Sequence, residues 1–301
     1  MEYKNLISNK KIRLKMLNLL SFIPDRIMIK VEYWIKLGEK LNLQNPKTFT
    51  EKLQWLKLYN RKSIYTTMVD KYEVKKLISS IIGQDYIVPT LGVWNRFEDI
   101  NFSGLPSKFV LKCTHDSGSI IVCEDKSKLD MKLLSEHFSF HLNNDEYILG
   151  REWPYKNVRR RIICEPLLTD GSIGLGSTIK DYKFFCFNGV PKVMYISNDR
   201  GDDPRTDFFD MDFNHLPIKM KDPNAETLPI KPECFETMKL ISQKLSKGIP
   251  HLRVDFYVVN NKPYVGELTF FHNSGYTAIQ PKEWNYKMGE WIELPIKGDK
   301  K

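Results

Sequence analysis

LRVDFYVVNNKPYVGELTFFHNSGY, residues 252–276, places two apolar strand patterns, 252–259 and 263–270, around the turn Asn260-Asn261-Lys262. Side chains alternate between the faces of a strand. Arg253 and Asp255 therefore share one face of the first strand, and Glu267 and Thr269 share one face of the second. Folding at Asn260-Asn261 brings Asp255 close to Glu267. Two carboxylates and an arginine embedded in apolar runs make a costly cluster unless a cation sits between the acids. Oxygen ligands of this kind suit Mg²⁺, which keeps waters and bridges to phosphate. An acid pair on a hairpin can also be a solvated edge, so the reading needs support from the rest of the chain.

The whole chain bounds the alternatives. Its 301 residues are 42% hydrophobic and 28% charged, which describes a folded protein of one large or two medium domains. The formal net charge of +9 implies attraction to an anionic partner: a nucleotide, an acidic glycan, a lipid head group or a nucleic acid. The five cysteines lack CxxC spacing and fall mostly in strand-like runs, as expected of buried, reduced thiols. No apolar run approaches a membrane span, and the early basic residues are not followed by a signal-peptide core. A cytoplasmic protein is expected.

Residues 1–40 are basic and helix-like, interrupted by Pro24. They could lie on an anionic membrane surface, at the inner face of the membrane, or pack as two helices on the main body. Thr48 and Glu51 have the spacing of a capping box, with Leu53, Leu56 and Tyr59 following at helical intervals. Residues 72–82 and 233–247 read as helices, as do 127–144. Tyr86-Ile87-Val88-Pro89 reads as a short strand, as do 109–113, 120–123 and 162–165. Asn188-Gly189 turns a hairpin of 182–187 and 190–196, whereas 199–232 is polar and loop-like. The class is α+β, with antiparallel sheets dominating the second half.

Lys112 ends a strand before the small polar turn 114–119, where backbone N–H groups could close on a polyphosphate. Lys183 lies inside the apolar strand Phe184, Phe185, Phe187, and an inward lysine there needs an anion. Cations for phosphates and acids for Mg²⁺ together describe a nucleoside triphosphate site. The ordered set Leu41-Asn42-Leu43, Asn45-Pro46-Lys47-Thr48-Phe49-Thr50-Glu51-Lys52-Leu53, Asp70-Lys71-Tyr72, Phe109-Val110-Leu111-Lys112, Asp181-Tyr182-Lys183-Phe184, Arg253-Val254-Asp255 and Glu267 resembles the TupA-like branch of the ATP-grasp superfamily. That branch is found with bacterial surface-polysaccharide genes.

The resemblance covers about residues 40–295 and implies two α+β lobes around an ATP cleft, with an N-terminal helical extension. The implied divisions are 1–63 for the extension, 64–106 for a small α/β segment, 107–168 for the phosphate-covering lobe and 169–295 for the Mg²⁺ lobe. By the same resemblance Lys71 and Lys112 contact ATP phosphates beneath Thr114, Ser117, Gly118 and Ser119. Glu165 and the Leu167 backbone form an adenine hinge, with Asp170 on the ribose. Lys183 reaches the phosphates, while Asp255 and Glu267 hold Mg²⁺ or Mn²⁺. Arg253 steadies the transferring group. Thr269 stands where the family has Asn. The implied activity is a carboxylate–amine ligase joining a sugar acid to an amine.

Rival features are weaker. Asp210-Met211-Asp212 matches the DxD of glycosyltransferases but falls in a Phe208-Phe209…Phe213 turn. A glycan kinase would share the ATP site and stop at phosphoryl transfer. No nucleic-acid-reading motif is present. His137 and His141, four apart on a helix, lack a third metal ligand and read as surface or packing residues. Arg151, Arg159, Arg160, Arg161 and Arg200, with Trp153 and Tyr155, could anchor a glycan or form a solvated charge run.

Overall fold

The structure, a computed structural model, describes residues 10–169, 180–197 and 204–296. The chain divides into two units, Lys62–Thr169 and Met1–Arg61 with Asp170–Lys301. The first 61 residues thus group with the C-terminal half.

In Lys62–Thr169, strands β1 (Gly92–Trp94), β2 (Phe109–Cys113), β3 (Ile121–Cys123) and β4 (Ile162–Pro166) form an antiparallel sheet in the order β1-β4-β2-β3. One face carries Phe109, Leu111, Cys113, Ile162 and Cys164, which pack with Leu134 and Phe138 of the helix Met131–Leu142. Asp130 caps that helix by accepting the N–H groups of Lys132 and Leu133. The opposite face carries Lys112 and Glu165. The strand expected at Tyr86-Ile87-Val88-Pro89 is instead a 3₁₀ turn, Gln84–Tyr86, followed by a single bridge residue at Ile87, and the ladder with β4 begins at Gly92.

In the other unit, β5 (Asp181–Phe187), β6 (Val190–Ser197), β7 (Thr206–Phe209), β8 (His215–Leu216), β9 (His251–Val259) and β10 (Lys262–Thr269) form a six-stranded antiparallel sheet in the order β10-β9-β5-β6-β7-β8. Strands β7 and β8 lie in the segment expected to be all loop. They are four and two residues long, too short to show a period of two. The β5–β6 hairpin turns on Asn188 and Gly189, both at positive φ. One face of the sheet, including Phe184, Val254 and Phe256, packs against the helix Phe235–Ser246, with Phe184 and Phe235 rings 5.6 Å apart. On the other face the helix Phe49–Tyr59 seats Phe49 against Phe185, Phe187 and His251. The Thr48–Glu51 capping box that begins this helix is present.

The N-terminal helices Lys10–Leu19 and Asp25–Leu37 satisfy half of the packing expectation. Met28, Ile29 and Tyr33 of the second are buried, while Ile27, Val31 and Trp34 are exposed. All five cysteines are buried and free. Among the described residues no helix is long and apolar enough to cross a membrane.

Candidate active site

The β9–β10 hairpin turns on Asn260 and Asn261 alone, both at positive φ, and Lys262 pairs with Val259 rather than joining the turn. Continued without interruption, this register would set Asp255 opposite Gly266 and turn Glu267 to the far face. A bulge between Val265 and Glu267 restores the pairing, so Asp255 faces Glu267 and Arg253 faces Thr269. A Cβ on Gly266 would lie 2.7 Å from the Tyr257 ring, so any other residue there would require that ring to move.

The same register runs on through the sheet. Glu267, Asp255, Lys183 and Tyr195 lie side by side on β10, β9, β5 and β6. The Asp255 carboxylate takes two hydrogen bonds from Arg253, Nε to Oδ1 at 2.7 Å and Nη2 to Oδ2 at 2.6 Å. Lys183 Nζ lies 3.4 Å from Asp255 and 3.5 Å from Asp181. Burial alone would raise the Asp255 pKa, but Arg253 and Lys183 hold it below the usual carboxylate range. Burial works against the Lys183 charge too, yet Asp255 pulls its pKa above the ordinary lysine value.

Arg253 also donates through Nη2 to Thr269 Oγ1 at 3.1 Å and through Nη1 to His272 Nδ1 at 2.6 Å. Four of its five N–H donors are therefore committed. His272 can accept only while neutral; burial first, then the charges of Arg253 and Lys183, push its pKa well below the ordinary value. Glu267 is half-buried, and among the described residues its carboxylate takes no hydrogen bond or ion pair. His272 was missed in the sequence because it follows the strand in an aromatic run where a buried ring needs no further explanation.

In the four-stranded sheet one carboxylate meets two lysines. Glu165 is 2.6 Å from Lys112 Nζ and 2.6 Å from Lys75 Nζ. Burial would raise the Glu165 pKa, but Lys112 and Lys75 hold it down. Lys75 also donates to the Val88 carbonyl and to Thr90 Oγ1, both at 2.8 Å. Its position four residues after Lys71 was the signal available in the sequence.

The 114–119 turn is held from within. Thr114 Oγ1 donates to the Arg159 carbonyl at 2.9 Å, and Ser119 Oγ donates to Asp116 while accepting the Cys113 N–H at 2.7 Å. His141 Nδ1 is hydrogen-bonded to the other Asp116 oxygen, and Lys71 Nζ donates to the Asp116 carbonyl. His137 Nε2 is 3.1 Å from the Ser119 carbonyl. The histidine pair thus anchors this turn. Thr114 and Ser119 are buried, whereas Ser117 and Gly118 face solvent, with Gly118 at φ 102°. The hydroxyls of Thr114 and Ser119, expected to cover phosphates, are engaged in shaping the turn.

Leu167 follows β4 and is partly exposed; Asp170 and Arg200 lie outside the described residues. Arg161 is buried and bridges Asp70 and Glu73, each at 2.8 Å, and Arg151 is buried too. Of the arginine run, Arg159 and Arg160 remain exposed. Asp210 accepts the N–H groups of Asp212 and Asn214 at 2.9 and 2.8 Å and the Asn214 side-chain amide at 2.9 Å. Its carboxylate builds the turn, which removes the basis for a DxD reading.

The TupA-like ATP-grasp family model matches residues 51–293, and the chain belongs to that family. Its fold is accordingly the α+β ATP-grasp fold. Among solved structures it is similar to D-alanine–D-alanine ligase from Bacillus anthracis complexed with ATP, at 17% identity over 68% of this chain and 55% of that one, TM-score 0.42. It is also similar to D-alanine–D-alanine ligase from Helicobacter pylori, at 16% over 81% and 69%, TM-score 0.45. A third is the biotin carboxylase–β,γ-ATP complex from Campylobacter jejuni, at 14% over 76% and 47%, TM-score 0.43. The chain thus spans between 47% and 69% of the length of these proteins. A search of curated proteins found no match.

Proposed function

We propose that the protein is an ATP- and Mg²⁺-dependent carboxylate–amine ligase that joins a sugar acid, such as a hexuronic acid, to an amino acid or other amine in surface-polysaccharide synthesis. The observation that carries the reading is the Asp255–Glu267 pair, brought into register by a bulge and flanked by Arg253 and Lys183. The donor set fits Mg²⁺: two carboxylates on adjacent strands, one without a hydrogen-bonding partner among the described residues, beside the Thr269 hydroxyl. The described residues include no group of three His, Cys, Asp or Glu side chains placed for a metal, so water and phosphate oxygens would complete the shell. Asp255 and Glu267 would hold the ion, which neutralises charge on phosphoryl oxygens; Mn²⁺ would serve in its place.

A carboxylate is a poor acyl donor because its leaving group would be oxide. Its oxygen attacks the γ-phosphorus, the bond to ADP breaks, and an acyl phosphate forms. The amine nitrogen then attacks the acyl carbon, phosphate leaves and the nitrogen loses a proton. Catalysis of this kind is positioning and charge neutralisation. Lys71, Lys112 and Lys183 contact phosphates, and Ser117 and Gly118 supply the exposed part of the covering turn. Glu165 keeps Lys112 and Lys75 in place, and the backbone at Leu167 meets the adenine. Arg253 has one N–H without a hydrogen bond among the described residues, available to the developing charge, with its plane fixed by Asp255 and His272.

The test is ADP release in a screen of uronic-acid sugars against amines, with product masses. A mass equal to acid plus amine less water is expected. A sugar gaining one phosphate would make the protein a kinase, and sugar transfer from a sugar nucleotide without ATP would make it a glycosyltransferase.

A further inference from the structure

The N-terminal helices carry a surface that the catalytic reading does not use. Residues 1–40 hold nine basic and four acidic residues, more than half of the chain's net charge of +9. In the helix Asp25–Leu37, Met28, Ile29 and Tyr33 face the core. The opposite side exposes Ile27, Val31 and Trp34 at helical spacing, with Ile35 beside them. Arg26 and Lys30 are exposed on that same side. The preceding turn adds Leu19 and Phe22, 75% and 80% exposed, while Trp34 is 61% exposed. A monomer surrounded by water gains nothing from such a row of large apolar side chains.

The acids decide what the surface meets. Residues 10–24 contain none. Asp25 is paired with Arg61 at 2.7 Å, and Glu32 is buried and paired with Lys36 at 2.8 Å. The exposed side of the helix Asp25–Leu37 is therefore cationic, and the exposed Glu39 beyond it is paired with Lys282 at 2.8 Å. A second copy of the chain would set Arg26 and Lys30 against their own counterparts, whereas anionic lipid head groups complement them. Apolar side chains including a tryptophan, flanked by Lys and Arg, have the composition of a helix lying in a membrane interface.

We propose that the exposed side of the helix Asp25–Leu37 and the turn at Leu19–Phe22 dock on an anionic lipid surface, with Phe22 and Trp34 entering the head-group region. The test is co-sedimentation of the full chain with phosphatidylglycerol–phosphatidylcholine vesicles and with pure phosphatidylcholine vesicles. Two double variants, Phe22→Ser with Trp34→Ser and Arg26→Glu with Lys30→Glu, are compared, with thermal melts and light scattering on each. The expected result is binding to the anionic vesicles that weakens about tenfold or more on neutral lipid and in each variant, with unchanged melts. Three results would overturn the proposal: no sedimentation, binding that survives either pair of substitutions, or a wild-type dimer that the apolar pair converts to monomer.

Discussion

The two sheets carry charged clusters with opposite balances. On the four-stranded sheet, Lys75 and Lys112 enclose the single carboxylate of Glu165. On the six-stranded sheet, Lys183 and Arg253 face three carboxylates: Asp181, Asp255 and Glu267. Among the described contacts the first cluster sets two cations on one carboxylate, as an anionic ligand would need, and the second sets two cations beside three carboxylates, as a metal ion would need. The carboxylates differ as well: Glu165 and Asp255 are ion-paired with buried cations, whereas Glu267 favours the charge of Arg253 but takes no hydrogen bond or ion pair among the described residues.

That difference can be broken by substitution. Glu267→Gln is expected to lower turnover by about 10²–10³-fold or more, as for loss of one stabilising group on a developing charge, while the melting temperature stays nearly unchanged. Asp255→Ala should abolish turnover and also cost about 3–5 kcal/mol of stability, because Arg253 and Lys183 lose their buried partner. Near-normal turnover in the first, or an unchanged melt in the second, would erase the distinction. Glu165→Gln is expected to cost about 3 kcal/mol in urea unfolding by leaving Lys112 and Lys75 together, and an additional Lys75→Met should recover part of it.

Acid tests the packing of the six-stranded unit, which buries His251 and His272; in the four-stranded unit burial also lowers the pKa of His115. Burial holds His251 down to about 3, and His272 lies well below its ordinary value. An unfolded histidine titrates near 6.5, so below that pH the unfolded chain binds more protons than the folded one. Stability from this source is complete above about pH 6.5 and falls as pH drops, by about 1.4 kcal/mol per unit for each histidine. Urea midpoints measured from pH 7 to pH 5 should show the decline. A flat profile would contradict the buried neutral state.

The smallest effect is expected at Asp210→Asn. It should cost about 0.5–1 kcal/mol through its weakened turn and leave turnover unchanged, since Asp210 has no role in the reaction.

Much of this was legible in the sequence. Asn260-Asn261, the capping box at Thr48 and the apolar alternation around Arg253 and Asp255 act locally, and local signals survive into the fold. The three-residue turn was misread, yet its pairing of Asp255 with Glu267 was right, because a two-residue turn plus one bulge advances the register equally. What stayed hidden depends on distant partners. Lys75 reaches Glu165 from another element, and Asp116 meets His141 across 25 positions. Arg161 looked like a ligand anchor but is occupied by Asp70 and Glu73. Charge in a sequence does not reveal which partner neutralises it.

The most direct measurement is calorimetric titration of ATP into the wild-type protein and Glu267→Gln, each with and without Mg²⁺. ATP should bind the wild type about tenfold or more tightly with the ion present, and the variant should lose that enhancement. Uptake of ATP that ignores Mg²⁺, or an enhancement that persists without the Glu267 carboxylate, would contradict the assignment of the β9–β10 hairpin as the metal-holding element.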